Sequence, residues 1–256
     1  MIKIVGVVMI VVVVLVVFVF LKNRRTPHVA PMYIIHLERA TARAENIDKQ
    51  MQTMTHDVHI FPAVDGKLLN IDTVSQDYDV NFAFTHGSPG EVACYLSHIQ
   101  LLRHIEKNNS HDPYVVVFED DFSVGRKFCS SVADVLRTLE EDKVDFDMLY
   151  LGNLSFYKGE PVRTRAKVTK LCKNGKPCWG TQGYVVNVRS VGKLIAHIRD
   201  MKEAVDGAYQ AAAVRGDITA LVLDETLVTQ EGDTASFIRS VPYHLLTSSP
   251  KNLDDS

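Results

Sequence analysis

Short apolar runs alternate with amphipathic segments along most of the chain. The three- and four-residue spacing of apolar side chains between Glu91 and Glu106 is typical of a helix buried on one face. The β-branched run at residues 114–118 is typical of a strand buried on both faces. Further strands are predicted at residues 32–37, 58–61, 148–151 and 184–188 and within 218–230, and further helices at 41–54, 128–142, 190–201 and 206–214, with 67–89 irregular. This alternation predicts an α/β fold with a mostly parallel central sheet and a site at the carboxyl ends of its strands.

The N-terminal segment has a different pattern. Residues 2–21 form an apolar run interrupted only by Lys3, and about 20 apolar residues suffice to cross the hydrocarbon core of a bilayer. A cleaved signal peptide is the alternative, but the run is longer than the usual apolar region of one, and no small-residue cleavage site follows it. We therefore predict a single transmembrane anchor at residues 1–22, which makes the membrane a partner of the chain. A juxtamembrane stem at 23–31, one globular domain at 32–247 and a polar tail at 248–256 complete the predicted organisation.

Composition and cysteine content add two constraints. The chain has 256 residues and a formal net charge of −3, which argues against a nucleic-acid-binding protein, since such proteins usually present a basic face. Cys172 and Cys178 flank an Asn-Gly turn signal at 174–175. A hairpin there would bring the two thiols within disulfide range, and a pair of free thiols is the alternative. Cys94 and Cys129 lie among apolar residues and are predicted to be buried thiols.

The candidate chemistry begins with three consecutive acids, Glu119, Asp120 and Asp121, directly after the strand at 114–118. Adjacent carboxylates repel one another, and a cation or water must compensate them. Hard divalent cations prefer oxygen ligands and can neutralise charge that develops on a diphosphate leaving group. A solvated acidic turn is the alternative interpretation.

Six segments, in order along residues 32–245, resemble glycosyltransferase family 25, which includes bacterial lipooligosaccharide galactosyltransferases and procollagen galactosyltransferases. The segments are Tyr33-Ile-Ile-His-Leu-Glu-Arg39 with Arg43, Phe61-Pro-Ala-Val-Asp65-Gly66, Gly90-Glu91-Val-Ala-Cys94-Tyr-Leu-Ser97-His98, the strand with Glu119-Asp120-Asp121, Gly180-Thr181-Gln182-Gly183-Tyr184, and Val205-Asp206. Each match is weak alone, whereas the ordered set is specific.

The resemblance implies a GT-A-type nucleotide-sugar-binding fold, with residues 32–247 as the catalytic domain. It implies an inverting transfer of a sugar, most commonly galactose from UDP-galactose, to a hydroxyl of a glycan or glycoprotein acceptor. It also implies Mn²⁺ or Mg²⁺ held by Glu119 and Asp121, with His244 as a further ligand. Membrane-anchored members of this enzyme class usually place the catalytic domain in the ER or Golgi lumen. The positive charges at Lys22, Arg24 and Arg25 favour the cytoplasmic side instead, so the orientation stays open.

The resemblance also assigns roles to single residues. Asp206 is the candidate general base, with helix N-cap as its alternative role, and Asp217, Asp224 and Glu225 are in reserve. The donor-binding candidates are Arg39, Arg43, Asp65, Gly66, Ser97, His98, Glu119 and Asp120, and the acceptor-binding candidates are Trp179, Gly180, Thr181, Gln182 and Gly183. Each has a structural alternative: a solvated helix face for the arginines, a plain turn for Asp65-Gly66, and core packing for Ser97, His98 and Trp179. A catalytically inactive binding or adhesion module and a metal-dependent phosphate-ester hydrolase are the alternative functions.

Overall fold

The computed structural model describes residues 30–54, 57–80, 88–154, 159–171 and 178–231. The predicted anchor at residues 2–21, Cys172, His244 and the predicted tail at 248–256 lie outside these ranges. No helix in the described ranges is both long enough and apolar enough to cross a membrane.

The described residues form ten strands and six α-helices. The strands are β1 Met32–His36, β2 Val58–Pro62, β3 Tyr114–Glu119, β4 Phe122–Val124, β5 Met148–Tyr150, β6 Glu160–Pro161, β7 Val168–Lys170, β8 Gly183–Asn187, β9 Ala220–Leu223 and β10 Val228–Gln230. The helices are α1 Thr41–Thr53, α2 Ile71–Asp77, α3 Pro89–Asn108, α4 Phe128–Glu141, α5 Val191–Ile198 and α6 Val205–Arg215. Short 3-10 turns lie at Gly66–Leu68 and Val188–Ser190.

Eight of these strands form one sheet in the order β2-β1-β3-β8-β5-β9-β7-β6, and β4 pairs with β10 beside it. Six of the eight run in the same direction, while β8 and β7 run against them. The predicted mostly parallel sheet is therefore confirmed for strand direction. The antiparallel course of β8 could not be predicted, because a strand buried on both faces is uniformly apolar whichever way it runs.

The sheet separates two apolar layers. Val115 and Val117 of β3 face a layer built with α3, α5 and α6. Val116 and Phe118 face the opposite layer, built with α1 and α4. Because β1 and β3 are parallel neighbours with Ile35 paired to Glu119, the segments that follow both strands meet at one edge of the sheet. This edge is where the acidic residues lie.

Three local predictions were wrong. The segment 67–89 is not wholly irregular, since α2 lies within it and Asn70 caps this helix by accepting the N–H of Thr73. Thr41 was predicted as a possible cap of the helix at 41–54, but it is the first residue of α1, and the capping position is held by Ala40 without a side-chain hydrogen bond. Leu171 and residues 178–182 are not in strands, so the described flanks of the Asn-Gly turn do not form the predicted hairpin.

The described cysteines are free thiols. Cys178 and Cys129 are buried, as predicted for Cys129, whereas Cys94 is only partly buried. Cys178 is therefore not in a disulfide in this structure, and the other half of the predicted pair, Cys172, lies outside the described residues.

Candidate active site

A cleft of about 140 Å³ opens at the carboxyl ends of β1 and β3. Its walls are formed by the segments after these two strands, the loop at 63–66 and the first half of α3. It is lined by eight of the predicted donor- or metal-binding residues: Arg39, Arg43, Gly66, Ser97, His98, Glu119, Asp120 and Asp121. The structure thus brings together residues from segments that are 80 positions apart in the sequence.

Both carboxylate oxygens of Asp120 are hydrogen-bonded to other residues of the chain. One carboxylate oxygen accepts a hydrogen bond from the buried guanidinium of Arg43. The other lies 3.0 Å from Nδ1 of His36 and 3.4 Å from the backbone nitrogen of Leu37. Asp120 therefore ties the end of β1 and helix α1 to the acidic segment. Sequence reasoning missed His36, although its position at the end of the opening strand was a usable signal.

Asp121 is buried, but only one of its two carboxylate oxygens has a hydrogen-bond partner among the described residues. Its Oδ2 accepts a hydrogen bond of 2.8 Å from the side-chain amide of Gln230 in β10 and lies 3.5 Å from the Arg43 guanidinium. Its Oδ1 is shielded from solvent and has no hydrogen-bond partner among the described residues. Burial and the nearby charge of Glu119 raise the pKa of Asp121 to about 6. A buried carboxylate oxygen without a partner is unfavourable unless a cation or a proton joins it.

Glu119 ends β3 and remains about one-fifth exposed, at 22% of its side chain. The hydroxyl of Thr181 donates to its Oε1, which also lies 3.4 Å from Nε2 of His98. Burial acts to raise the pKa of Glu119, but the bonds from His98 and Thr181 outweigh it, and the pKa is lowered. Glu119 is therefore held as a carboxylate at the mouth of the cleft.

The acidic residues were predicted to hold a divalent cation, and the donor set fits in part. Asp121 supplies the orphaned buried oxygen, and Glu119 supplies a second carboxylate two residues away. Asp120 does not fit, because both of its oxygens are already engaged. Charge repulsion between Glu119 and Asp121 would also be relieved by a cation between them. The predicted third ligand, His244, lies outside the described residues.

Cys94 adds a thiol that the sequence analysis had assigned to packing. It lies one helical turn before His98 on α3, and its Sγ, the His98 nitrogen and a Glu119 carboxylate oxygen lie within 4.8 Å of one another. Burial raises the pKa of the Cys94 thiol well above its usual value, with further contributions from nearby carboxylates including Glu119 and Asp206. A Cys-x-x-x-His spacing on a predicted helix was the signal that could have identified this pair.

Arg39 and Asp65 form an ion pair at the rim, with Arg39 Nε 2.7 Å from Asp65 Oδ2. Asp65 also accepts the N–H of Lys67 at 2.9 Å and so caps the turn Gly66–Leu68. The bond from Arg39 is the main cause of the lowered pKa of Asp65. Arg39 lines the cleft and Asp65 pairs with it, and their roles in donor binding stay predictions.

Ser97 fastens the loop after β2 to helix α3. Its hydroxyl accepts the N–H of Val64 at 2.9 Å and donates to the carbonyl of Ala93 at 2.7 Å. Gly66 packs so closely there that an added Cβ would lie 2.8 Å from the carbonyl oxygen of Pro89. The Ser-His and Asp-Gly segments therefore build one wall of the cleft together.

The candidate general base is held by backbone groups. Asp206 lies in the first turn of α6, where its Oδ2 accepts the N–H of Gly180 and its Oδ1 that of Gly207, each at 2.9 Å. The alternative role of N-cap is wrong, because Ala204 is the capping residue of α6. Burial raises the pKa of Asp206, the two backbone bonds oppose this in part, and the charge of Glu119 adds to the rise. A raised pKa is the property that a carboxylate base needs.

The acceptor-binding candidates divide into interior and surface residues. Thr181, Gln182 and Gly183 are buried, and an added Cβ on Gly183 would lie 2.7 Å from Val228. Gly180 has a φ of +97°, a left-handed conformation that favours glycine. Trp179 is 39% exposed, beside the backbone that holds Asp206. Of the set, Trp179 is the residue whose ring reaches solvent and can meet a sugar.

The three reserve bases lie elsewhere. Asp217 pairs with Arg215 at 2.7 Å just after α6, and Asp224 and Glu225 are exposed after β9. Neither they nor Asp206 lines the cleft itself. Asp206 is close enough to the cleft for the charge of Glu119 to contribute to its raised pKa.

Comparison with known families decides the relationship. The sequence profile of "Glycosyltransferase family 25 (LPS biosynthesis protein)" matches residues 29–209, a range that contains both the acidic segment and Asp206. The chain belongs to glycosyltransferase family 25. The resemblance predicted from its segments is confirmed.

Curated relatives in family 25 are of moderate identity. Procollagen galactosyltransferase 1-A of Xenopus laevis is 30% identical over 174 residues, which cover 64% of this chain and 28% of that protein. A glycosyltransferase 25 family member of Drosophila pseudoobscura pseudoobscura is 29% identical over 173 residues, with 64% and 27% covered. The chain thus spans under a third of the length of the curated relatives it matches.

Among solved structures, the apo form of mouse xyloside xylosyltransferase 1 aligns with a TM-score of 0.40 and 10% identity, over 76% of this chain and 85% of that one. A likeness at this level carries no argument about fold or activity. Membership of family 25 rests on the sequence, and the α/β architecture rests on the strands and helices described above.

Proposed function

We propose that this family 25 chain is an inverting galactosyltransferase, which moves galactose from UDP-galactose to a hydroxyl of a glycan or glycoprotein. The observation that carries the proposal is the buried Oδ1 of Asp121, which has no hydrogen-bond partner among the described residues although it lies in a cleft beside Glu119. The choice of galactose is supported by the curated relatives that are named procollagen galactosyltransferases.

Glu119 and Asp121 would hold Mn²⁺ or Mg²⁺, which when bound would neutralise the charge on the departing diphosphate. Arg39 lies on the same rim with about one-third of its side chain exposed. We assign it to a donor phosphate, because the planar guanidinium can bind two phosphate oxygens at once. Arg43 is buried against Asp120 and Asp121. Its part is to fix the acidic segment and to offset its negative charge.

Asp206 accepts the proton of the acceptor hydroxyl as that oxygen attacks the anomeric carbon. The N–H groups of Gly180 and Gly207 orient its carboxylate, and inversion requires such a base on the face of the sugar opposite the diphosphate. Trp179 would stack against the acceptor sugar, because an exposed indole offers a flat apolar surface next to this base.

The test is calorimetric titration of the full chain with UDP-galactose and, for comparison, UDP-glucose, each with Mn²⁺, with Mg²⁺ and with a chelator. We expect metal-dependent binding of UDP-galactose, weakened at least about tenfold by Asp121→Asn, because a neutral amide is a poor ligand for a hard cation. Asp134→Asn is the matched control, since Asp134 is an exposed acid of α4 that pairs with Arg137.

A folded chain that binds neither UDP-sugar under any of these conditions would overturn the proposal in favour of an inactive binding module or another donor. Binding that is equally strong in the chelator and in Asp121→Asn would retain a nucleotide-sugar site but remove the metal from it.

A further inference from the structure

Three different ligand atoms converge beside the cleft. Cys94 and His98 project from adjacent turns of α3, and Glu119 approaches from the end of β3, so that one atom of each lies within 4.8 Å of the others. The separation of His98 Nε2 and Glu119 Oε1 is 3.4 Å. Two ligands about 2.1 Å from one tetrahedral ion are about 3.4 Å apart, so this pair already has the spacing of zinc ligands.

The environment of His98 suits a metal ligand. Its Nδ1 lies 2.8 Å from the hydroxyl of Tyr184, and the two rings are stacked with their centroids 5.9 Å apart. A hydrogen bond at Nδ1 fixes the ring and leaves Nε2 facing Glu119, 3.4 Å from its Oε1. Metal-binding histidines commonly use their second nitrogen in this way.

The local charge also favours a cation. Four carboxylates act on the Cys94 position, and they belong to Glu119, Asp206, Asp121 and Glu91. His98 is almost fully buried, so an ion held there would be only weakly screened by solvent.

We infer that Cys94, His98 and Glu119 form a site for a zinc-class divalent ion, with the fourth coordination position open to the cleft. A thiolate, an imidazole and a carboxylate together are typical zinc ligands, whereas Mg²⁺ and Mn²⁺ prefer sets made of oxygen. On binding, the Cys94 Sγ–H bond breaks, its proton leaves to solvent, and the sulfur electron pair forms the bond to the ion. No oxidant or reductant is required.

Occupation of this site has a consequence that rests on the proposed function. Glu119 is shared between the zinc-class ligand set and the carboxylate pair with Asp121. An ion held by Cys94 and His98 therefore withdraws Glu119 from the donor-associated cation. The site acts as an inhibitory zinc site on donor binding.

Cobalt is a suitable probe, because Co²⁺ adopts the coordination of zinc and a bond from cobalt to a thiolate absorbs in the near ultraviolet. The full chain is stripped with a chelator, the chelator is removed, and Co²⁺ is titrated in. We expect a thiolate-to-cobalt band together with strong visible bands of tetrahedral type. One equivalent of Zn²⁺ should abolish both, and an excess of Mg²⁺ should leave them intact.

Cys94→Ser should lose the thiolate band, while Cys129→Ser, a change at a buried thiol in the layer on the other face of the sheet, should retain it. Circular dichroism melts in chelator show whether both variants are folded. The inference is overturned if the wild-type chain binds no Co²⁺, if its spectrum lacks the thiolate band, or if folded Cys94→Ser keeps that band.

A second titration tests the inhibition. Zn²⁺ should weaken Mn²⁺-dependent UDP-galactose binding in wild type and in Cys129→Ser but not in Cys94→Ser; equal weakening in all three would exclude an inhibitory role. Because the cobalt spectrum needs no nucleotide sugar, failure of the proposed function leaves the test of the ion site unaffected.

Discussion

Two buried aspartates lie at opposite edges of the central sheet, and their carboxylates differ in the hydrogen bonds that they accept. Asp121 follows the carboxyl end of β3, whereas Asp147 precedes β5, which runs in the same direction. The side chain of Asp147 accepts hydrogen bonds of 2.6 Å each from the Ser190 hydroxyl, the Lys193 ammonium and the N–H of Thr219. Burial acts to raise the pKa of Asp147, but these three bonds outweigh it and the pKa is lowered.

Asp121 is buried to a similar degree, yet one of its oxygens has no hydrogen-bond partner in the described part of the chain and its pKa is raised to about 6. Volume alone would favour the other edge, since the amino edge near Asp147 carries the larger cavity, about 880 Å³ against 140 Å³. We propose the carboxyl edge as the active site because it holds the buried oxygen without a partner among the described residues. The carboxylate of Asp147 is satisfied by the fold, whereas that of Asp121 can still accept a ligand.

The largest effect is expected on activity at the carboxyl edge. Asp206→Asn should lower the rate of galactose transfer by roughly 10²–10⁴, the usual contribution of a general base. Donor affinity should be unchanged, because the side-chain partners of Asp206 are backbone groups of Gly180 and Gly207 rather than the acidic residues. Release of UDP in the presence of acceptor measures the rate, and calorimetry measures donor binding. Transfer at the wild-type rate would move the base to Asp217, Asp224 or Glu225.

The next largest effect is expected on the free energy of unfolding, and it should distinguish the aspartates at the two edges of the sheet. Asp147→Asn should lower the free energy of unfolding by about 2–3 kcal/mol, because the amide faces donors that it cannot all satisfy. We discount the contribution of Lys193, which is 44% exposed. Asp121→Asn should change the same free energy by less than about 1 kcal/mol or increase it, since it removes an unsatisfied charge. Urea denaturation of the two matched variants in chelator measures the difference. Equal losses would contradict the distinction drawn between the edges.

Much of the architecture could be predicted from local patterns. The β-branched run gave β3, the three- and four-residue spacing gave α3, and the acids directly after β3 indicated the edge of the sheet that carries the site. These features depend on residues close in sequence, so periodicity and composition report them. The direction of β8 was not predictable in this way, because a strand buried on both faces is apolar whichever way it runs. The short helix α2 was not predictable for a different reason: most of its side chains are exposed, so it shows no apolar periodicity.

The different contacts of the three acids Glu119, Asp120 and Asp121 could not be predicted. Asp120 is occupied because His36 and Arg43, about 80 positions earlier, reach it across the sheet, and Asp121 is held by Gln230, which lies 109 positions later. The Cys94–His98 pair was visible as a spacing on one helix, but its meaning depends on Glu119 arriving from another element. Long-range contacts of this kind appear only once the fold is known.

The smallest effect is a difference in pH dependence between the same two aspartates. The folded pKa of Asp121 is raised above its unfolded value, so the folded state binds the proton more tightly. In chelator, wild type should therefore lose stability relative to Asp121→Asn as pH rises from about 4 to about 6, by roughly 1–2 kcal/mol. Asp147 has a lowered pKa, so its contribution is present above the unfolded value of about 4 and disappears as pH falls below it.

Unfolding free energies of wild type and the two asparagine variants, measured between pH 3 and 7, test these opposite signs. The difference between wild type and Asp121→Asn should change in the upper part of this range, and that between wild type and Asp147→Asn in the lower part. If Asp121→Asn tracks wild type at every pH, then Asp121 is ionised at no cost in the folded chain. Its orphaned oxygen would then have an adequate partner in water, and the argument for a cation beside Glu119 would lose its physical basis.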